Sequence, residues 1–180
     1  MQQLPPEAGE YQTAAGVSLA ELAQRGPALV VFLRHAGCPF CREALADLKA
    51  KRAAIDAAGV QIVLVHMMTD SEAAAFFGRY DLADVERIAD VDRILYEAFG
   101  LQRGTTLDVM GPKVWWQGFK TTLLSGHLPG KPVGDVFQMP GSFLIHKDEI
   151  VASYIGKSSG DRPDYEELAC SIGPDDDQTA

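Results

Sequence analysis

Apolar residues along the chain gather into two short, dense runs. The first is Ala28-Leu29-Val30-Val31-Phe32-Leu33, introduced by Gly26-Pro27; the second covers Val60 to His66. Both are short and β-branched, which predicts buried strands at 28–34 and 60–66. Between them, Cys41, Ala44, Leu45, Leu48, Arg52 and Ile55 recur at spacings of three, four or seven, one face of a helix. That helix is predicted from Pro39 to about Ala58, with Gly59 ending it. Ser18-Leu19-Ala20-Glu21 and Thr69-Asp70-Ser71-Glu72 each fit a capping box, opening helices over about 18–25 and from 69 to about Tyr80. Val85 to Ala89 reads as a short strand, and Asp90 or Asp92 as the start of a helix ending near Gly100. The resulting β-α-β-α-β-α order predicts parallel pairing of the two apolar strands.

Residues 101–139 break the alternation with repeated glycines and prolines, and read as an insertion before a last β-hairpin. One helix is expected inside it, from Pro112 to about Leu124, with Val114, Trp115, Phe119 and Leu123 as its apolar side. Trp115-Trp116 is expected to place one ring in the core and leave one partly exposed. Ser142–His146 and Ile150–Ile155 are two strands joined so tightly that they must be antiparallel. Asp164-Tyr165-Glu166-Glu167 opens a final helix reaching about Cys170. Residues 1–16 are expected to be a flexible segment, 17–172 one domain, and 173–180 a disordered acidic tail.

A chain of 180 residues with 47% hydrophobic and 23% charged content is ordinary for one soluble domain. A net charge of −9 argues against general nucleic-acid binding. It neither requires nor forbids dimerisation. Three cysteines are too few, and odd in number, for a disulfide-stapled secreted scaffold. The start of the chain has neither a basic region nor an apolar core, so no signal peptide is expected, and no apolar stretch has the length of a membrane span. These features together suggest the cytoplasm. There a Cys-x-x-Cys pair is more often catalytic or metal-binding than structural.

Such a pair stands where the first strand gives way to the long helix: His35-Ala36-Gly37-Cys38-Pro39-Phe40-Cys41. Pro39 suits the first helical position, which puts Cys38 at the N-cap. A thiolate there can accept amide hydrogen bonds and feels the positive end of the helix dipole, so it is expected to be the nucleophile. Cys41, one turn on, is expected to be shielded yet within reach of a mixed disulfide on Cys38. His35 is either a tuner of the thiol and proton shuttle or a surface residue. Arg34 and Arg42 could steady a thiolate, but arginines near a helix start are more often solvated. A metal reading would use His35, Cys38, Cys41 and Cys170; with one cysteine pair instead of two, it is set aside. Cys170 is expected to be buried, and His66 to be structural.

The order of elements, with Cys38-Pro39-Phe40-Cys41 at a helix start and Met139-Pro140-Gly141-Ser142-Phe143 before the hairpin, resembles the thioredoxin fold: a central mixed sheet flanked by helices. Within it the chain resembles the peroxiredoxin-like branch of the alkyl hydroperoxide reductase / thiol-specific antioxidant family, which includes the selenoprotein L group. The matching text is Val30-Val31-Phe32-Leu33-Arg34-His35, Cys38-x-x-Cys41-Arg42-Glu43, Leu95-Tyr96-x-Ala98-Phe99-Gly100 and Gly134-Asp135 through Gln138-Met139-Pro140-Gly141. The resemblance implies a cis proline at Pro140, lying against the cysteine pair and shaping the substrate surface. The chain departs from ordinary peroxiredoxins, whose Pro-x-x-x-Thr-x-x-Cys becomes Val31 and His35 here. Their arginine before the late strand is also missing, Pro140 standing near its place. These departures favour thiol–disulfide exchange over fast peroxide reduction.

The expected function is a thiol-dependent oxidoreductase with Cys38 as nucleophile, Cys41 as resolving thiol, and His35, Pro39 and Pro140 as tuning or substrate-binding residues. Its substrate is a disulfide or a hydroperoxide, and an external thiol from a thioredoxin or glutathione system supplies electrons. No nucleotide fingerprint is present, and no cofactor is expected. A thiol peroxidase passing through sulfenic acid on Cys38 is the alternative, and a non-catalytic thioredoxin-like binding module is the alternative of another class.

Overall fold

A computed structural model describes residues 2–36, 38–105, 111, 116 and 134–171. In chain order these form β1 (Gln2–Gln3), α1 (Pro6–Gly9), α2 (Leu19–Arg25), β2 (Ala28–Phe32), α3 (Pro39–Ala57), β3 (Gln61–His66), α4 (Asp70–Gly78), β4 (Glu86–Ala89), α5 (Ile94–Ala98), β5 (Gly141–His146), β6 (Glu149–Ile155) and α6 (Tyr165–Ala169). The six strands make one sheet in the order β1-β6-β5-β2-β3-β4. β2 and β3 pair in parallel, as do β3 and β4, while β5 and β6 run antiparallel to their neighbours.

The two central strands are buried on both faces, which explains their unbroken apolar text. Alternation divides their side chains between two cores. Leu29, Val31 and Leu64 face α3, α4 and α6, packing with Leu45, Leu48, Phe77 and Tyr165. Val30, Phe32, Val63 and Val65 face α1, α2 and α5, packing with Ala8, Leu22, Leu95 and Tyr96. Phe32 is the hub of an aromatic group, its ring centroid 5.0 Å from Tyr96, 4.9 Å from Phe99 and 5.6 Å from Phe143. Both predicted capping boxes form, at Ser18–Glu21 and Thr69–Glu72.

Three expectations need correction. The N-terminal segment, expected to be flexible, is built into the fold: Gln2 and Gln3 pair with Ile150 and Glu149, and Leu4 and Ala8 are buried. The amide of Ala14 also donates to the carbonyl of Arg87. Backbone pairing to a distant strand needs no special side chains, so the local text gives little sign of it. The fifth helix starts at Ile94, later than expected. Asp90 lies outside it and caps it remotely, its carboxylate accepting from the amides of Ile94 and Tyr96 at 3.0 Å each. α4 stops at Gly78, two residues short of Tyr80. The expected helix from Pro112 to Leu124 falls outside the described residues, Trp116 apart, and so does the acidic tail. Trp116 is 62% exposed. The two ends of the 101–139 stretch meet in an Arg103–Gln138 bridge, where the amide of Gly104 donates to the carbonyl of Phe137.

Two expected outcomes follow from buried polar groups. The Tyr96 hydroxyl donates to the carbonyl of Leu33, just where β2 ends. Tyr96→Phe should leave that carbonyl without its tyrosine donor and lower the urea-unfolding free energy by about 1–3 kcal/mol. An unchanged midpoint would show the bond to be dispensable. His66 is 1% exposed and accepts from the Met68 amide through Nδ1. Burial drives its pKa down from 6.5 to about 4. As pH falls, the unfolded chain is protonated first, so the contribution of neutral His66 is intact above pH 6.5 and exhausted by about pH 4. His66→Asn keeps an acceptor for the Met68 amide and removes the titration. Its stability should fall less steeply than wild type across that window; an identical slope would place the acid sensitivity elsewhere.

Candidate active site

β2 leaves the sheet after Phe32, and the chain turns through Arg34, His35 and Ala36 before the amide of Cys38 bonds the carbonyl of His35 at 3.0 Å. Cys38 is the N-cap of α3 with extended backbone angles, and Pro39 follows inside the helix. The predicted placement of the two cysteines therefore holds. The predicted amide stabilisation holds only in part: the Cys38 sulfur makes no full cap hydrogen bond, although the amides of Phe40 and Cys41 still favour its charged form. The sulfur also meets Arg34, whose Nη1 donates to Sγ at 3.3 Å.

Arg34 is the largest departure from the sequence reading, which expected it to be solvated. It is 3% exposed. Its Nε donates to the carbonyl of Gln138 at 2.8 Å and its Nη2 to the carbonyl of Val136. Its own amide donates to the sulfur of Cys41 at 3.3 Å, so one residue addresses both thiols. A guanidinium with its donors taken by carbonyls and a sulfur can stay buried without an acidic partner. The loop supplying those carbonyls is itself held down. Asp135 binds Nη1 of Arg93 at 2.6 Å and Nε of Arg103 at 2.7 Å, and accepts from the Phe137 amide at 2.9 Å. Gly134 starts that loop at φ +107, with Met67 close enough that an added Cβ would lie 3.0 Å from Met67 Cβ. Gln138 closes it, Nε2 donating to the Leu101 carbonyl at 2.9 Å.

The electrostatics separate the two thiols. The Cys38 pKa is lowered to about 6, first by a hydrogen bond from the Cys41 thiol, then by the charge of Arg34 and the amides of Cys41 and Phe40; burial opposes them. Cys41 is pushed well up, because it is the donor of that bond and is buried. Near neutral pH the pair is thus a thiolate receiving a proton donor, both cysteines being free. His35 is lowered to about 4, by burial and then by the charge of Arg34. It is neutral near pH 7 and lends the thiolate no charge; its Nδ1 is buried without a hydrogen-bond partner.

Both cysteines are buried, Cys38 at 2% exposure and Cys41 at 5%. The small pocket beside the pair is lined by Cys41, together with Phe40, Pro140, Ser142, Ser159 and Tyr165. Pro140 lines the same pocket as Phe40, Cys41 and Ala44 of the cysteine helix. Its peptide bond is trans, not cis. It leads straight into β5, and its carbonyl accepts from the Gly156 amide at 3.1 Å. Cys170 is exposed where burial was expected: in the short α6, Tyr165, Leu168 and Ala169 take the inward positions. Among the described residues no group of three or more His, Cys, Asp or Glu is placed to hold a metal ion. None of their helices is long and apolar enough to cross a membrane.

Comparison with known proteins places this geometry in a family. The model of the AhpC/TSA antioxidant enzyme family matches residues 47–158, more than half of the chain, beginning after the two cysteines. Thioredoxin-like protein AAED1, chloroplastic, of Arabidopsis thaliana is 26% identical over 161 residues, 84% of this chain and 64% of that protein. The chain thus spans a little under two thirds of that relative. Prostamide/prostaglandin F synthase of Xenopus tropicalis is 26% identical over 163 residues, 87% of this chain and 79% of that protein. A mutant of Xanthomonas campestris peroxiredoxin Q shares the fold with a TM-score of 0.61 at 18% identity, over 86% of each chain. The chain belongs to the AhpC/TSA antioxidant enzyme family and has a thioredoxin-like fold.

Proposed function

We propose that this chain reduces hydroperoxides through Cys38, with Cys41 as the resolving thiol and an external thiol as electron source. The observation that carries the reading is the Arg34 guanidinium on the Cys38 sulfur. It supplies, from the end of β2, a positive charge like the one ordinary peroxiredoxins take from an arginine before the late strand. The thiolate attacks one peroxide oxygen, the O–O bond breaks, and the departing oxygen takes a proton and leaves as alcohol or water. The guanidinium favours the thiolate and offsets charge building on the departing oxygen. The sulfenic acid on Cys38 then condenses with the Cys41 thiol, releasing water and leaving a Cys38–Cys41 disulfide. The 2% exposure of Cys38 suits a small oxidant better than a protein disulfide.

Thiol–disulfide exchange through the same two sulfurs is the second reading, favoured by the resolving thiol lying one helical turn from the nucleophile. His35 contributes as a neutral ring beside the thiolate, Pro39 by starting the helix, and Pro140 as one wall of the pocket. We place the protein in the cytoplasm on its low cysteine count.

Cys41→Ser divides the two readings. Given a hydroperoxide, it should accumulate sulfenic acid on Cys38, read as a dimedone adduct by mass spectrometry. A variant that stays unoxidised by peroxide but traps a mixed disulfide from a disulfide substrate would replace peroxide reduction with exchange. Alkylation of the reduced wild type should rise with a half-point near pH 6. In Arg34→Gln that half-point should move to about pH 7 or above, with slower alkylation below it. A wild-type half-point near that of free cysteine, about 8.5, would favour the non-catalytic binding module.

A further inference from the structure

Peroxide reduction and disulfide exchange, as proposed above, both leave a Cys38–Cys41 disulfide that must be reduced, and one small pocket opens beside the pair. Of the two cysteines only Cys41 lines it, at 5% exposure against 2% for Cys38. Its walls are largely apolar, with Phe40, Ala44, Pro140, Tyr154 and Tyr165 around the thiol. Ser159 lines it too, is 2% exposed, and has a hydroxyl with no hydrogen-bond partner. A buried hydroxyl left unpaired costs free energy, so the arrangement suits a polar guest. Arg162 also lines the pocket, its guanidinium held by Glu43 at 2.8 Å and Asp47 at 2.6 Å, which ties the 156–163 loop to α3.

We infer that this pocket admits a low-molecular-weight monothiol, which reduces the disulfide by attacking the sulfur of Cys41, with Ser159 hydrogen-bonding the incoming molecule. The inference rests on the two-cysteine cycle proposed above. The thiolate of the reductant forms a bond to Cys41 Sγ as the Cys38–Cys41 bond breaks, and the electron pair leaves on Cys38. A second monothiol then attacks the reductant's sulfur in the mixed disulfide. That step returns Cys41 as a thiol and releases the reductant as its symmetric disulfide, the two monothiols supplying two electrons. The direction of attack agrees with leaving-group chemistry. Exchange runs faster when the departing sulfur is the better-stabilised thiolate, and that sulfur is Cys38, with Arg34 beside it. Access and leaving-group quality select the same sulfur.

The test separates rate from equilibrium. Disulfide-form protein is mixed with 2-mercaptoethanol, and loss of the Cys38–Cys41 bond is followed by quench and mass spectrometry, in wild type and in Ser159→Phe. The bulky ring should fill the pocket and slow reduction at least tenfold. The equilibrium reduction potential against the same thiol should be unchanged, because the two sulfurs and Arg34 keep their contacts. Ser159→Ala, which opens the pocket and removes only the hydroxyl, should fold normally and weaken the dependence on thiol concentration. Fragmentation of the acid-quenched intermediate should place the 2-mercaptoethanol adduct on Cys41. An adduct on Cys38, or a Ser159→Phe protein that is folded and reduced at the wild-type rate, would overturn the inference. Failure of peroxide and disulfide substrates alike to form the Cys38–Cys41 bond would instead overturn the proposed cycle.

Discussion

The buried guanidinium of Arg34 is the contact on which the rest of the site depends. A cation taken out of water must find partners for its donors and, ideally, a negative charge. Here two backbone carbonyls meet part of that need, and the sulfur of Cys38 meets the rest by ionising. The arrangement works in both directions: the arginine favours the thiolate, and the thiolate favours the burial of the arginine. When the two cysteines join, the sulfur gives up its charge and the arginine keeps only neutral partners. The dithiol state is therefore the better balanced one, and a pair whose reduced form is stabilised is a stronger oxidant.

This contact also explains why the loop at 134–139 is so firmly tied. Asp135 is clamped by Arg93 and Arg103, and Gln138 is sewn to Leu101, so the two carbonyls that receive Arg34 arrive at fixed positions. Asp90, capping α5 from outside, sets the helix that Arg93 precedes. The sulfur is tuned through backbone pinned by side chains on the far side of the sheet, and no acidic residue needs to approach the thiolate.

Local chemistry made much of this legible in the sequence. The two aliphatic runs, the capping boxes at Ser18 and Thr69, and the Pro39 start of the long helix each carry their own signal within a few residues, and each formed as read. What stayed hidden depends on distant partners. Nothing near Arg34 in the chain says that carbonyls more than 100 positions later will accept its donors. Gln2 and Gln3 carry no strand-like alternation, and their pairing with β6 is a backbone event. The pocket that Cys41 lines also takes in the 156–163 loop and Pro140, which no spacing rule relates to the cysteines. The trans bond at Pro140 and the exposed thiol of Cys170 were missed for the opposite reason, the first carried over from family likeness and the second from a general preference for burial.

The ends of the sheet bear on how this protein behaves in a crowded solution. A long, flat outer strand is a template onto which other chains can stack. Here one margin is a two-residue strand running almost at once into Pro5-Pro6, whose nitrogens have no hydrogen to offer. The opposite margin is the four-residue β4, which carries Glu86 and Arg87. The N-terminal segment covers the Glu149–Ile150 end of β6 and so shortens the edge on which another chain could stack.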